Sequence, residues 1–129
     1  MDYWASLTVP AGTLASAPVS QVVPVCPGKV TGVWLFFPKG HLGTTKVRIR
    51  RWGHQVWPTN LDSWYLGDGT VIEFGENYPL VGLPYEFVLE GYNSSTLYAH
   101  TAYVRFTVLP QERALLSYLP RPVPLDAIW

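Results

Sequence analysis

The chain has 129 residues, a length typical of one domain and too short for two ordinary hydrophobic cores. Hydrophobic residues make up 48% of it and charged residues 14%, against roughly 25% charged residues in an average soluble protein, which excludes disorder for most of the chain. Nine Lys and Arg residues balance nine Asp and Glu residues, so the chain lacks the net charge that attracts proteins to nucleic acids or anionic lipids. We therefore expect one folded domain that binds neither nucleic acid nor membrane.

The sequence also limits where the protein is made. Its longest apolar run, residues 33–37, is far shorter than the roughly 18 residues that a membrane span needs. Asp2 stands where a secretory signal would carry a positive charge. Cys26 is the only cysteine, which excludes an internal disulfide framework. We expect a soluble protein that is made in the cytoplasm and is not secreted through a signal peptide.

Proline and glycine dominate the organisation of the chain. Twelve prolines and eleven glycines interrupt it too often for long helices, because proline removes a backbone donor and clashes inside a helix. Eight of the prolines lie in residues 1–27 and 110–129, which we interpret as extended arms around a core of residues 28–109. We expect an edge strand at 19–25 in the first arm and one or two helical turns over 113–119 in the second.

Within the core, short β-rich runs alternate with turn signals in the way that is typical of a sandwich or barrel. The predicted strands cover residues 30–37, 45–52, 55–57, 70–74, 85–92 and 101–109. In the first strand, Val33, Leu35 and Phe37 point to one side and Trp34 and Phe36 to the other, so both of its faces are apolar. This predicts a central strand that is covered on both sides. The last two flank a polar loop, which favours an antiparallel hairpin. The predicted fold is an all-β antiparallel sandwich, jelly-roll-like or immunoglobulin-like.

Signatures of catalysis are missing from the sequence. It contains no nucleophile elbow, phosphate-binding loop, dinucleotide-binding glycine pattern or zinc-protease motif. His41, His54 and His100 have no metal-ligand spacing and are interpreted as three separate structural or surface residues. Cys26 lies near two prolines without a motif partner, which favours an inert thiol. We predict a protein that is not an enzyme and needs no cofactor or metal.

Acidic pairs offer one alternative. Glycosidases need two carboxyl groups about 5–10 Å apart across a cleft, and the sequence supplies two candidate pairs. These are Glu73 with Glu76 and Glu86 with Glu90. In a strand, Glu86 and Glu90 share one face, and so do the three cations Lys46, Arg48 and Arg50. We therefore favour a cross-strand ladder of ion pairs over a catalytic pair.

Charge and aromatic residues both point to an interface. Residues 39–51 carry five basic and no acidic residues, whereas residues 65–129 carry seven acids and three bases. The basic segment makes Arg48 and Arg50 candidate contacts with a neighbour, although we favour a solvated strand face as the explanation of the pattern. Six Trp, eight Tyr and five Phe accompany only three Lys, a composition typical of protein interfaces.

The aromatic signal is concentrated in residues 57–65. This segment supplies five candidate contacts, namely Trp57, Asn60, Asp62, Trp64 and Tyr65. Such a loop packs on a neighbouring subunit or stacks on a sugar ring and binds its hydroxyls, and we favour the subunit. Tyr118 and Trp129 are further candidate contacts on the C-terminal arm.

Residues 18–110 resemble the small β-sandwich accessory proteins of bacteriophage virions, the decoration or cement class. The features that carry the resemblance are a proline-flanked entry (Pro24-Val25-Cys26-Pro27-Gly28), the segments Phe37-Pro38-Lys39-Gly40 and Gln55-Val56-Trp57-Pro58-Thr59-Asn60, and an arm after Val108-Leu109-Pro110. The resemblance implies a non-enzymatic virion protein, commonly trimeric, that clamps neighbouring major capsid subunits.

Two other classes of function are compatible with the sequence. One is a carbohydrate- or receptor-binding module that uses the loop at 57–65. The other is a binder of single-stranded nucleic acid that uses the basic residues 46–50, which would need a positive groove that the balanced net charge does not supply.

Overall fold

The computed structural model describes residues 1–111, and these form two packed antiparallel β-sheets. The strands in chain order are β1 (Asp2–Val9), β2 (Val19–Pro24), β3 (Gly28–Phe37), β4 (Thr45–Arg51), β5 (His54–Trp57), β6 (Tyr65–Leu66), β7 (Thr70–Leu80), β8 (Glu86–Asn93) and β9 (His100–Pro110). The predicted all-β sandwich is thereby confirmed. Within residues 1–111, no helix has the length and apolar character that crossing a membrane requires.

The two sheets draw their strands from both halves of the chain. Sheet A has the order β1-β9-β3-β7, and sheet B has the order β2-β8-β4-β5 with β6 also paired to β4. In sheet A the central strand β3 carries Val33, Leu35 and Phe37 into the core, because alternate residues of a strand face opposite sides. The inward positions predicted for this strand are confirmed.

Aromatic rings fill the middle of the core between the sheets. Phe87 of sheet B stacks on Phe106 of sheet A with ring centroids 4.6 Å apart. Trp57 lies 5.3 Å from Phe87 and 6.1 Å from Phe106. These three side chains are among the largest that are fully buried, so β5, β8 and β9 are fixed to one another through their rings.

The predicted hairpin between residues 85–92 and 101–109 is wrong. β8 pairs with β2 and β4 in sheet B, whereas β9 pairs with β1 and β3 in sheet A. The connecting residues cross from one sheet to the other, and the buried Asn93 amide ties the corner by donating to the carbonyl oxygens of Val9 (3.3 Å) and Tyr98 (2.8 Å). Alternation predicted which side chains point inward, but it does not encode which strands are neighbours.

The prediction that residues 1–27 form an extended arm is also wrong for residues 2–9, which form a strand of sheet A. β1 is an edge strand that pairs along its whole length with β9 and buries Leu7 and Val9. The edge strand expected at 19–25 is present as β2, on the edge of sheet B. The C-terminal arm predicted for 110–129 falls almost wholly outside the described residues. So do its predicted helical turns and the candidate contacts Tyr118 and Trp129.

Strand β7 is longer than the 70–74 that the sequence predicts. It continues through Pro79 to Leu80 and lies on the edge of sheet A. A proline is tolerated there because an edge strand leaves one side of its backbone without ladder hydrogen bonds. The register shifts where Gly32 pairs with Gly75, which marks a bulge in the β3–β7 ladder.

Candidate interaction surface

The outer face of sheet A, which is turned away from the core, carries two adjacent rows of side chains in register across its four strands. The first row consists of Trp4, Arg105, Trp34 and Glu73. The second row consists of Ser6, Tyr103, Phe36 and Val71. We call the four rings Trp4, Trp34, Phe36 and Tyr103 the aromatic face.

The rings of the aromatic face contact one another across the strands. Trp4 meets Trp34 edge-on with centroids 5.4 Å apart, and Trp34 lies 5.9 Å from Phe36. Phe36 stacks on Tyr103 at 6.3 Å. Offset and edge-on contacts of this kind hold rings in place, so the surface is an ordered array of rings.

Arg105 lies among the rings of the aromatic face. Its guanidinium carbon lies 5.3 Å from the Trp4 ring centroid and 5.6 Å from that of Trp34. Its Nη2 atom lies 3.5 Å from Glu73 Oε1, and within residues 1–111 its buried Nε has no hydrogen-bond partner. The pair of opposite charges leaves the face neutral, with its rings as the dominant chemistry.

Exposure separates the aromatic face from the core. Trp4 is 60% exposed and Tyr103 is 41% exposed, while Trp34 and Phe36 are half-buried. The expectation that β3 is covered on both faces is therefore wrong for residues 1–111, where its outer rings are covered only by neighbours on the same face. A shallow groove of about 260 Å³ lies beside Trp4 and Tyr103.

The sequence does not reveal this surface, for two reasons. The proline density predicts an arm where Trp4 lies, and the apolar pattern of β3 predicts that Trp34 and Phe36 are covered. One signal was present in residues 2–9, where buried Leu7 and Val9 are two residues apart, as the inward positions of a strand are. That spacing places Trp4 on the opposite, outward side.

The outer face of sheet B carries the basic strand β4. Glu90 Oε1 lies 2.9 Å from Arg48 Nε and 3.4 Å from Arg50 Nε. Arg48 also lies over the Trp64 ring at 4.1 Å, and Lys46 lies over the Tyr92 ring at 5.1 Å. The three cations are thus matched by a carboxylate or by rings of their own sheet. We call this arrangement the paired face.

The predicted ladder of ion pairs is confirmed for Glu90, which serves two arginines. Glu86, its predicted companion, lies opposite Pro24 of β2 instead of a basic residue. Glu73 and Glu76 do not form a catalytic pair either, because Glu73 lies on the outer face of β7 and Glu76 on the inner one. A common cleft is therefore missing for these two carboxylates.

Hydrogen bonds fix the backbone of the loop at 57–65, and the predicted contacts Asn60 and Asp62 are exposed on it. The Gln55 side-chain amide donates to the carbonyl oxygens of Pro58 (2.8 Å), Asn60 (3.0 Å) and Ser63 (3.2 Å). Its oxygen accepts the backbone N–H of Asp62 at 3.2 Å. Asn60 Nδ2 in turn donates to the Ser63 hydroxyl at 2.5 Å. Gln55 therefore sets the shape of the loop.

Two aromatic residues of that loop are turned inward. Trp57, predicted as a contact residue, is 2% exposed and belongs to the core, so that prediction is wrong. Its position at the end of β5 lets the ring reach Phe87 while its indole N–H donates to Glu76 Oε2 at 2.8 Å. Tyr65 is half-buried against Phe74, with centroids 6.3 Å apart. Trp64 is half-buried and takes part in the paired face.

The inward Glu76 has an ordinary structural role. Hydrogen bonds from the Trp57 indole and from the Asn77 backbone N–H hold the pKa of Glu76 below its ordinary value. Burial, together with the neighbouring Glu76 carboxylate, raises the pKa of Tyr65 to about 12. The glutamate therefore stays charged and the tyrosine neutral near pH 7.

Two of the three histidines meet, contrary to the prediction that they are separate. The His41 and His100 rings lie 4.6 Å apart at one end of the sandwich, whereas His54 is exposed at the start of β5. His41 is 2% exposed, and its Nδ1 atom has no hydrogen-bond partner within residues 1–111. Burial, and then His100, lower the pKa of His41. The described part of the chain holds no cluster of three or more metal-ligating side chains.

A groove of about 460 Å³ lies between the edges of the two sheets. It is lined by residues 3–6 of β1 and 21–24 of β2. At one end the backbone N–H of Cys26 donates to the Tyr3 hydroxyl at 3.1 Å, which links the two edges.

No protein-family model matches the sequence, and no curated protein does.

Proposed function

We propose that the chain is a non-enzymatic structural protein of a virus particle, a capsid decoration or cement protein or another head-associated assembly protein, that stabilises the particle through subunit contacts. Its partners are further copies of itself, with a trimer favoured, and a major capsid or other virion protein. The observation that carries the proposal is the aromatic face, on which Trp4 is 60% exposed and Tyr103 41% exposed. Ordered rings with little net charge are the composition of a protein interface.

The size of the expected effect fits a stable contact. Covering about 1,000 Å² per subunit, of which more than half is apolar, contributes about 12 kcal/mol at ~25 cal/mol/Å² before the costs of association are subtracted. Repetition of such contacts over a closed particle makes weak individual contacts effectively permanent. The resemblance of residues 18–110 to phage accessory proteins gives the same class of protein.

Comparison of two exposed tryptophans tests the proposal. Trp4 belongs to the aromatic face, whereas Trp52, which is 75% exposed, lies in the β4–β5 turn outside it. In size-exclusion chromatography with light scattering, we expect the wild type to elute as an oligomer, and in a separate sedimentation assay we expect it to co-sediment with capsid shells. Trp4→Ser is expected to reduce oligomer formation and co-sedimentation, whereas the control Trp52→Ser is expected to leave them unchanged. The proposal would be contradicted if the wild type stayed monomeric at high concentration and did not bind capsid shells.

A carbohydrate- or receptor-binding module is the second candidate. In the loop at 57–65 Trp57 is buried and the Asn60 amide is bonded to Ser63, so the observation that favours this candidate is the groove of about 260 Å³ beside the exposed rings of Trp4 and Tyr103. Flat exposed rings stack on the apolar side of a sugar. Glycan binding on an array that is lost in Trp4→Ser and kept in Trp64→Ala would favour this candidate over assembly.

A further inference from the structure

Among residues 1–111, strand β1 presents an edge that no other strand pairs with. The N-terminal amino group of Met1 donates to the Val108 oxygen, and the Val108 N–H donates to the Met1 oxygen, both at 2.7 Å. Because backbone groups alternate sides along a strand, the odd residues of β1 face β9. The N–H and C=O groups of Asp2, Trp4, Ser6 and Thr8 then point away from the sheet.

The devices that usually protect an edge strand are missing from β1. Its eight residues, Asp2–Val9, include no proline and no lysine, and the β1–β9 register has no bulge. Four consecutive outward positions therefore offer backbone donors and acceptors to another strand.

The neighbouring edge of β2 is protected. The Val25 N–H donates to the Tyr85 oxygen at 3.0 Å, so Val23 and Gln21 face β8 and the even residues face outward. One outward residue, Pro24, has no N–H, and the oxygen of another, Val22, accepts the Gln21 side-chain amide at 3.1 Å. Of the two edges that border the groove of about 460 Å³, β1 is the open one.

The chain carries a segment suited to one side of a strand pair. Residues 119–125 read Leu-Pro-Arg-Pro-Val-Pro-Leu, with proline at every second position. In an extended strand, the N–H groups of Arg121, Val123 and Leu125 would all point to one side, and the proline side would have no donors. Such a segment can pair with one edge and cannot template a further strand.

We propose that the free edge of β1 is a strand-acceptor site for residues 119–125, which lie outside the described residues. The seven-residue segment matches the length of 2–8, whose even-numbered residues carry the outward backbone groups. In antiparallel pairing, Arg121, Val123 and Leu125 would lie on the side of Trp4 and would extend the aromatic face. The prolines would then lie on the other side, over the groove toward β2.

The proposal does not depend on the proposed function. In antiparallel pairing with 2–8, residue 119 would lie beside Thr8, which pairs with Thr101, ten residues back along β9 from Gln111. The eight steps from Gln111 to residue 119 reach at most about 29 Å, less than the roughly 34 Å that ten strand residues span, so the acceptor edge belongs to a neighbouring copy. Such docking adds to self-association but needs no capsid partner, so failure to bind capsid shells with β1 still occupied would count against the proposed function and not against the acceptor site.

Hydrogen exchange of the full chain tests the site with two matched proline variants. Val123→Pro places a proline on the donating side of the segment, whereas Pro122→Val removes one from the opposite side. We expect the amides of Trp4 and Ser6 to exchange at least about tenfold faster in Val123→Pro than in the wild type and as slowly as the wild type in Pro122→Val. Unchanged exchange at Val33 and Phe106 in the core confirms that each variant is folded.

Addition of a synthetic peptide of residues 112–129 to the Val123→Pro chain provides the complementary measurement. We expect the peptide to restore slow exchange at Trp4 and Ser6, and a peptide that carries the same proline substitution to have no effect. Equally fast exchange at Trp4 and Ser6 in the wild type and both variants would overturn the proposal. Protection that appears at Ser20 and Val22 of β2 instead would overturn it as well.

Discussion

The two outer faces of the sandwich use the same residue types and present different surfaces. On the paired face, Arg48 lies 4.1 Å from the Trp64 ring centroid and 2.9 Å from the Glu90 carboxylate. On the aromatic face, Arg105 lies more than 5 Å from the centroids of both its tryptophans, and its carboxylate partner is 3.5 Å away. Glu90 has 19% of its side chain exposed and Glu73 has 62%.

The difference comes from what lies beside each face. Trp64 belongs to the loop that Gln55 shapes, and that loop places the ring over β4. On the aromatic face Trp4 stands on the edge strand β1, and within residues 1–111 its ring remains 60% exposed. A cation, a carboxylate and tryptophan rings are thus packed against one another on the paired face, whereas on the aromatic face Trp4 stays exposed.

The largest expected effect lies beneath the loop of the paired face. Trp57→Ala removes a ring that is 2% exposed and leaves Glu76 without its indole donor. We expect the free energy of unfolding to fall by about 3–5 kcal/mol, measured by denaturant unfolding. Trp52→Ala, at a site 75% exposed, is the control and is expected to change it by less than about 0.5 kcal/mol. Equal losses in the two variants would show that Trp57 is not a core residue.

The next effect compares the two carboxylates directly. Glu90→Gln removes the charge that Arg48 and Arg50 share, and we expect a loss of about 1–2 kcal/mol in the free energy of unfolding. Glu73→Gln is the matched change on the aromatic face and is expected to cost less than about 0.5 kcal/mol, because an exposed ion pair contributes little. High salt is expected to reduce the difference. A larger loss for Glu73→Gln would reverse the contrast between the faces.

A smaller effect concerns pH at the end of the sandwich. Because burial lowers the pKa of His41 in the folded state, the unfolded state binds more protons below the ordinary value of 6.5. The stabilising contribution is therefore present above pH 6.5 and is lost as the pH falls below it, with His100 and Asp68 the neighbouring titratable groups.

Thermal unfolding between pH 7.5 and 5.5 measures this dependence. We expect the wild type to lose stability over this range and His41→Phe to lose less. His54→Phe, which changes an exposed histidine, is expected to follow the wild type. A pH profile that is the same in all three proteins would show that His41 does not carry the effect.

The sequence predicted the fold class and the inward side of each strand better than the pairing of strands. The alternation at Val33, Leu35 and Phe37 is local, because a strand turns successive side chains to opposite faces wherever it lies. The neighbours of β8 and β9 depend on contacts distant in sequence, such as that between β1 and β9, which a local pattern does not contain. The prolines that follow β1 in the sequence also led to the prediction of an extended arm in its place.

The composition predicted that aromatic residues are exposed, but it did not predict which segment carries them. An excess of Trp and Tyr correctly indicated exposed rings, since Trp4 and Tyr103 are both on the surface. The segment with the highest density of such residues holds the buried Trp57, because its burial is decided by Phe87 and Phe106 from other strands. Local density of aromatic residues therefore does not distinguish a contact surface from a core.

Sedimentation equilibrium of the wild type, Trp4→Ser and Trp64→Ser tests the central claim most directly, because it compares one tryptophan from each outer face. We expect the wild type to self-associate and Trp4→Ser to weaken its association constant at least about tenfold, which corresponds to about 1.4 kcal/mol. Trp64→Ser is expected to change that constant less than about twofold, since its ring is already occupied by Arg48. Equal weakening by the two variants, or a wild type that stays monomeric at every concentration, would contradict the assignment of the aromatic face as the interface.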